Sequence, residues 1–228
     1  LEDITGLSHR SRRNVPFTVN PKRTMLKSIT DIPSPYLEGV VDEEVLARKN
    51  VEANLETQRG CNLKCSYCIY HKDMDRVQYS EVERVIDEVR YVTERGVKRI
   101  RFTDANFGSK KKFAKSVMKG LIRERFKTRL FTELIPGFID EELASLFGQY
   151  KKLHPENQVT LGVGVQTINW ASLKRMHRPV KLSRFEKTFE LLQKHDIYTK
   201  IDLIIGLPGE DMSTIEETLE YMVDQLRG

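Results

Sequence analysis

Three cysteines, Cys61, Cys65 and Cys68, lie close together and are the only cysteines in a chain of 228 residues. Their spacing is C-x3-C-x2-C. Thiolates are the usual ligands of iron–sulfur clusters, and a cubane cluster normally takes four of them. Three thiolates on one loop would leave the fourth iron open to a small molecule. The spacing therefore predicts a [4Fe–4S] cluster that takes part in chemistry.

Two other interpretations of the cysteines stay open at this point. His71 closely follows Cys68 and could complete a Cys3His zinc site, although structural zinc loops more often use two separated pairs of ligands. Three ordinary buried cysteines are the third interpretation, which their clustering disfavours. A secreted disulfide scaffold would use an even number of cysteines spread along the chain, so a reducing compartment is expected.

Five strand-like segments, each followed by a helix-like segment, would position these residues. The strands are predicted at residues 51–57, 98–103, 129–135, 158–165 and 198–205. Two helices are expected near residues 110–125 and 140–153. The other three should follow serines that stand three residues before a glutamate, which is the spacing of a capping box: Ser80, Ser183 and Ser213.

The helix expected after Ser80 has the clearest apolar face. Its apolar residues recur with helical periodicity on one side: Val82, Val85, Ile86, Val89 and Val92. Strict alternation of strand and helix predicts an α/β fold with a parallel sheet, forming a barrel or part of one. In such barrels functional groups follow the carboxyl ends of strands. The cysteines follow the first predicted strand, which places them at that end.

Composition narrows the class of protein. With 39% hydrophobic and 31% charged residues and a net charge of +5, the chain has no apolar run near the ~18 residues that span a bilayer. We therefore expect a cytoplasmic protein without a membrane partner. Two basic patches, at residues 9–13 and 110–112, carry no interleaved aromatic residues. Solvated surface is the favoured interpretation of both, and no nucleic-acid motif accompanies them.

Residues 51–228 resemble the radical S-adenosylmethionine superfamily. The resemblance begins with the three cysteines and with Tyr67, the aromatic residue before the last of them. It implies a partial (β/α)6 TIM-type barrel, of which five units are present here. It also implies two cofactors, a [4Fe–4S] cluster and S-adenosylmethionine, whose amino and carboxylate groups chelate the open iron. Tyr67 would pack near the adenine.

The resemblance assigns further cofactor contacts to the ends of later strands. Near the end of the second strand, Thr103, Asp104 and Asn106 would meet the methionine amino group, although the usual Gly-Gly-Glu is absent. Asp104 could instead cap a helix. Glu133 corresponds to a carboxylate that binds the ribose in coproporphyrinogen-oxidase-like relatives.

Five further positions match those relatives as well. Gln166 corresponds to their fourth-strand glutamine, and Arg178 to the arginine that pairs with the methionine carboxylate. Asp202 corresponds to the fifth-strand acid, while Gly206 and Leu207 belong to the loop beside the adenine. These contacts suit the chemistry, because ribose hydroxyls need acceptors and a carboxylate suits a guanidinium.

The amino-terminal stretch is similar to the linker that precedes the radical domain in the cobalamin-binding (class B) branch. The resemblance therefore implies residues 1–50 as a linker from an upstream cobalamin domain, and 51–228 as a core cut before its sixth strand. Enzymes of the class B branch mostly methylate unactivated carbon or phosphorus. A cobalamin-free oxidase, a tRNA-modifying enzyme and a non-enzymatic zinc module are the alternatives. The expected partners are a small-molecule or peptide substrate and an electron donor such as flavodoxin or ferredoxin.

Overall fold

A five-stranded parallel sheet with helices packed on one face forms the body of the molecule. The computed structural model describes residues 1–24, 26, 28–70 and 76–227. Its strands are β1 Ser8–His9, β2 Thr18–Val19, β3 Glu52–Leu55, β4 Gln58–Arg59, β5 Gln78–Tyr79, β6 Arg99–Phe102, β7 Arg129–Leu134, β8 Val159–Gln166 and β9 Tyr198–Leu203. Its helices are α1 Glu43–Leu46, α2 Val82–Glu94, α3 Lys111–Glu124, α4 Glu141–Lys152, α5 Trp170–Arg175, α6 Leu182–Lys194 and α7 Met212–Arg227, with short 3-10 helices at Ile29–Asp31 and Phe107–Lys110.

The order of the main sheet is β3-β6-β7-β8-β9, with every neighbouring pair parallel. Each of these strands is followed by a helix that returns the chain to the end of the sheet where the next strand begins, as parallel pairing requires. The predicted α/β fold with five strand–helix units is therefore confirmed. An additional short helix, α5, lies between β8 and α6 and was not predicted.

Alternate residues of each strand pack against the helices. In β3 and β6 these are Ala53, Leu55, Ile100 and Phe102, all at most 2% exposed. The helix α2 covers them with the predicted apolar face, of which Val85, Ile86, Val89 and Val92 are buried. Fully burying one such side chain stabilises the fold by roughly 1.5–3 kcal/mol. The intervening strand residues face the other side of the sheet, which is polar and more exposed.

The predicted capping boxes are wrong. Ser80 precedes the cap position of α2, and its backbone N–H donates instead to the carbonyl of Thr57 at 2.9 Å. Ser183 and Ser213 both lie inside the first turns of their helices. At α7 the capping residue is Asp211, whose Oδ1 accepts from the N–H of Thr214 at 2.9 Å. Helix ends depend on backbone contacts with neighbouring segments, which a spacing of side chains does not show.

The amino-terminal stretch, expected to be a linker, contains the two-residue antiparallel ladder β1–β2 and the single turn α1. It is also tied to the barrel. The Tyr36 hydroxyl donates to the carbonyl of Asn54 in β3 at 2.9 Å and accepts from its N–H at 3.1 Å. Leu46, at 2% exposure, joins the main core. Among the described residues, no helix has the length and apolar character needed to cross a membrane.

Candidate functional site

The three cysteines lie on one loop that is closed at its base. The loop leaves β4 and returns through β5, and these two short strands pair antiparallel, with Gln58 opposite Tyr79. None of the three thiols forms a disulfide; Cys65 is buried, and Cys61 and Cys68 are partly exposed. His71, the proposed fourth ligand of a zinc site, lies outside the described residues.

A cavity of about 180 Å³ brings the three thiols together with the polar ends of the later strands. Eight of the thirteen residues predicted for the site line it: Cys61, Cys65, Tyr67, Cys68, Glu133, Gln166, Arg178 and Asp202. The other five do not line it: Thr103, Asp104, Asn106, Gly206 and Leu207. Residues separated by more than one hundred positions in the sequence therefore surround one space.

Arg178 is the buried cation of this cavity. Its side chain is 5% exposed; Nη2 donates to the carbonyl of Gly164, and Nη1 lies 3.6 Å from the Sγ of Cys65. The buried Nε has no hydrogen-bond partner. No carboxylate within the described residues forms an ion pair with this guanidinium. A buried charge without a counter-charge is costly, which makes this position suited to an anionic ligand.

Two glycines of β8, neither of them predicted as part of the site, make room for the polar side chains. A methyl group on Gly162 would collide with the carboxylate of Glu133. One on Gly164 would lie 2.8 Å from Nε2 of Gln166 and 3.1 Å from Nη2 of Arg178. A glycine inside a strand often marks a close approach, so the G-x-G of β8 was the available signal.

If Glu133 binds a ligand as predicted, Gly162→Ala should weaken that binding by about tenfold, because the new methyl group must displace the carboxylate. The matched control is Gly148→Ala in α4, where the added atom meets its nearest neighbour at 3.4 Å. That control should bind normally and gain stability, since alanine favours a helix interior. Titration of S-adenosylmethionine into both variants measures the difference. Equal affinities would show that the space left by Gly162 is not needed for binding.

Gln166 ends β8 in an unusual conformation. Its φ is +70°, in the left-handed region, and the ladder with β9 shifts register between Gly164 and Gln166. Such bulges redirect side chains, and strained backbone of this kind concentrates at functional sites. The consequence here is that the side chain of Gln166 lines the cavity, while its carbonyl accepts from the N–H of Ile204 at 2.9 Å.

Glu133 is an acid of the cavity whose pKa is shifted by its surroundings. Burial raises the pKa of Glu133, the nearby charge of Asp202 raises it further, and the cations Lys200 and Arg101 oppose the rise. Lys200 also pairs with Asp202, with 2.9 Å between Nζ and Oδ1. Cation and acid therefore alternate on this part of the sheet. Glu133 and Asp202 can both accept hydrogen bonds from a ligand. Their mutual repulsion is reduced because Lys200 pairs with Asp202.

Asp104 lies just after β6, near the strand end as predicted, with its carboxylate bound to backbone. It neither lines the cavity nor caps a helix; Asn106 precedes the next 3-10 helix. Its buried carboxylate accepts from the N–H of Thr57 at 2.8 Å, from the N–H of Gln58 at 2.9 Å and from the Thr57 hydroxyl. Asp104 thus holds the backbone that leads into the cysteine loop.

The other predicted residues outside the cavity also bind backbone or stay exposed. The Asn106 side chain accepts from the N–H of Ile135 at 3.1 Å, while Thr103 is exposed. Gly206, with φ of +84°, and Leu207 both donate their N–H groups to Glu210, at 3.1 and 2.9 Å. Glu210 therefore fixes the loop after β9, and its role was not predicted.

The thiols are suited to a multi-iron cluster. Burial raises the pKa of Cys61, the neighbouring Cys65 and Cys68 add to the rise, and Arg178 opposes it. Within the described residues, no three His, Cys, Asp or Glu side chains are grouped as ligands of a single metal ion. A cubane does not require such a grouping, since each thiolate binds a different iron. A soft, three-thiolate donor set beside a buried cation fits such a cluster and an anionic ligand on it.

Comparisons with known proteins agree with this geometry. A sequence profile of the Radical SAM superfamily matches residues 55–222. The cobalamin-dependent radical SAM methyltransferase TokK of Streptomyces tokunonensis is 26% identical over 221 residues, which cover 93% of this chain and 32% of that protein. A tRNA-2-methylthio-N(6)-dimethylallyladenosine synthase of Erythrobacter litoralis is 30% identical over 190 residues, 77% of this chain and 41% of that protein.

A solved structure of the methyltransferase TsrM from Kitasatospora setae, with cobalamin and a [4Fe–4S] cluster bound, shares the fold at a TM-score of 0.69 and 21% identity. The similarity covers 95% of this chain and 36% of that one. The chain therefore spans between about a third and two fifths of the length of these three proteins.

Proposed function

This chain belongs to the Radical SAM superfamily, and we propose that Cys61, Cys65 and Cys68 hold its [4Fe–4S] cluster. The observation that carries the proposal is the shared cavity, which places the thiols beside Arg178 and the polar ends of β7, β8 and β9. When bound and reduced, the cluster supplies the electron that cleaves the sulfonium of S-adenosylmethionine to a 5′-deoxyadenosyl radical. The zinc-bound interaction module is not supported.

The residues around the thiols bind and orient S-adenosylmethionine. Arg178 pairs with the methionine carboxylate, which gives its buried guanidinium the missing counter-charge. Glu133, Gln166 and Asp202 accept hydrogen bonds from the nucleoside. Tyr67, 39% exposed at the rim, covers the adenine and limits access of water.

The finer proposal is cobalamin-dependent methyl transfer. It is supported by the similarity to TokK along 93% of the chain and by the fold shared with TsrM. The cobalamin would be held by sequence outside these 228 residues, and residues 1–50 would link the two parts. An external donor such as flavodoxin or ferredoxin would reduce the cluster, and the substrate would be a small molecule or peptide.

A tRNA-modifying enzyme is the second candidate. The 30% identity to the Erythrobacter litoralis synthase over 190 residues favours it. A cobalamin-free oxidase is the third alternative, suggested by the likeness of Glu133 and Gln166 to coproporphyrinogen-oxidase-like motifs. All three share the same cofactor site, and the products formed from S-adenosylmethionine separate the cobalamin-dependent methyltransferase from the other two.

The test uses the full-length protein, reconstituted anaerobically with iron and sulfide and given S-adenosylmethionine, reductant and cobalamin. S-adenosylhomocysteine together with methylcobalamin would support methyl transfer. 5′-Deoxyadenosine that forms equally well without cobalamin would exclude the cobalamin branch and leave the other two. Colourless protein with stoichiometric zinc would refute the cluster itself.

Replacing Arg178 with lysine tests the carboxylate contact. Lysine keeps the charge but loses the planar fork, so we expect the Kd for S-adenosylmethionine to rise about 10- to 100-fold while the absorption of the cluster is retained. The matched control is Arg184→Lys on the exposed side of α6, which should bind as the wild type does. An unchanged Kd in Arg178→Lys would assign the carboxylate to another residue.

A further inference from the structure

A second cavity lies at the opposite end of the sheet from the thiols. Its volume is about 500 Å³, within the range of small-molecule sites. It is formed where the chain enters β3, β6 and β7, at the amino ends of these strands. Six cationic residues line it: Arg48, Lys49, Lys98, Arg99, Lys127 and Arg129.

The charge of this basic cavity is concentrated and uncompensated. Glu156 is the single acidic residue in its lining, which leaves an excess of five positive charges, equal to the formal net charge of the whole chain. In the part of the chain that the structure describes, none of the six cations forms an ion pair with a carboxylate. The formal charges of all residues outside this lining therefore sum to zero, and the lining alone accounts for the net positive charge of the chain.

Two of the cations are direct neighbours in the sheet. Arg99 and Arg129 are register partners on adjacent strands, about 4.8 Å apart across the ladder. Like charges directly opposite each other are destabilising. Two register pairs further along, Arg101 is fully compensated, with a 2.8 Å ion pair to Glu52 and its guanidinium 3.9 Å from the centre of the Phe131 ring. In this part of the sheet Arg101 therefore has an ion-pair partner, whereas Arg99 and Arg129 have none among the described residues.

Arg99 is also fixed in place. Its Nη2 donates to the carbonyl of Asn50, so the guanidinium is held at the wall of the cavity. The basic patch at residues 110–112 differs, because Lys111 lies 3.8 Å from Asp140 and Lys110 stands over the ring of Tyr79 at 4.9 Å. These contacts compensate two of the three lysines there, as is typical of a solvated surface.

We propose that the basic cavity binds a ligand with clustered phosphate groups. Two adjacent guanidinium groups and four further cations around a volume of small-molecule size suit two or more neighbouring phosphates, which guanidinium groups bind in a bidentate manner. The ligand removes the repulsion between Arg99 and Arg129 that the free protein retains. This site is separate from the thiol cavity and independent of the reaction there.

Titration calorimetry of the full-length protein with inorganic pyrophosphate at low ionic strength tests the site. The variant Lys49→Ala/Lys98→Ala/Lys127→Ala removes exposed cavity lysines, so its fold should be intact, and we expect binding about tenfold weaker or more. The matched control, Lys110→Ala/Lys111→Ala/Lys112→Ala, removes the same charge elsewhere and should change the Kd by about twofold or less. Circular dichroism melts confirm that both variants fold.

The source of the phosphates is distinguished by a second titration with a short single-stranded RNA. Tighter binding than pyrophosphate, lost in the cavity variant and steeply dependent on salt, would identify a nucleic-acid backbone as the ligand. Cavity-dependent binding of pyrophosphate with no such gain for RNA would identify a free di- or triphosphate. Absence of binding to both, or equal losses in the cavity variant and its control, would overturn the proposal.

Discussion

Replacing Cys65 with serine in the full-length protein should abolish the visible absorption of the reconstituted cluster and reduce formation of 5′-deoxyadenosine more than about 100-fold. Losing a residue that merely supports a metal ligand typically costs ~10–100-fold, so the loss of a ligand should exceed that range. Cys65 is the most informative of the three because it is 4% exposed and lies beside Arg178. Iron and sulfide analysis measures the cluster, and chromatography of the nucleoside products measures the activity.

The adjacent Ser66 supplies the control. The residue is exposed, and its hydroxyl donates to the Sδ of Met176 at 3.3 Å. Ser66→Ala changes the same loop without removing a thiolate, and it should keep both cluster and activity. A Cys65→Ser protein that still holds four irons and cleaves S-adenosylmethionine would show that the proposed ligand set is wrong.

The general architecture was accessible from the sequence because it depends on local periodicity. The alternation of strands and helices, and the apolar face of α2, are repeated features over many residues, and the structure confirms them. The placement of the cysteines after β3 follows from the same rule, since functional groups follow the carboxyl ends of parallel strands. The family and its two cofactors came from a resemblance that the three cysteines and the later strand ends carry together, and the match of a family profile to residues 55–222 confirms the family.

The details of the site required contacts that no local pattern contains. The family resemblance identified Glu133 and Arg178, but the reason they fit is the pair Gly162 and Gly164 on a neighbouring strand. A glycine is required at each of these positions because of the side chains that lie against it in the folded structure. The contacts that the resemblance assigned to S-adenosylmethionine stay predictions, and the variants of Gly162 and Arg178 test two of them.

Asp104 illustrates why an acid at a strand end is ambiguous in sequence. A carboxylate there can contact a ligand, cap a helix or bind another segment of the chain. All three uses require only a hydrogen-bond acceptor at the end of a strand. Its partners, Thr57 and Gln58, lie 47 and 46 residues away in the chain. Only the folded structure shows that the acceptor is already occupied.

Removing this carboxylate should loosen the cysteine loop at its base. In Asp104→Ala three buried donors lose their acceptor, and each unsatisfied group costs ~1–3 kcal/mol, so we expect the free energy of unfolding to fall by about 2–5 kcal/mol. Hydrogen exchange of the Thr57 and Gln58 amides should accelerate with it. Asp196→Asn, at an exposed surface ion pair, is the control and should change stability by less than about 1 kcal/mol.

The variant Asp104→Asn separates the charge from the hydrogen bonds, because an amide oxygen can keep the two backbone N–H bonds. Burial raises the pKa of Asp104 from 3.8 to about 7, against the opposing effect of Thr57 and Gln58. The protonated acid therefore favours the native state below 3.8, and that contribution is lost as the pH rises through about 7. Relative to Asp104→Asn, the wild type should lose stability across this window in denaturant unfolding. A constant difference would mean that Asp104 does not titrate there, and its carboxylate would then hold the loop over the whole range.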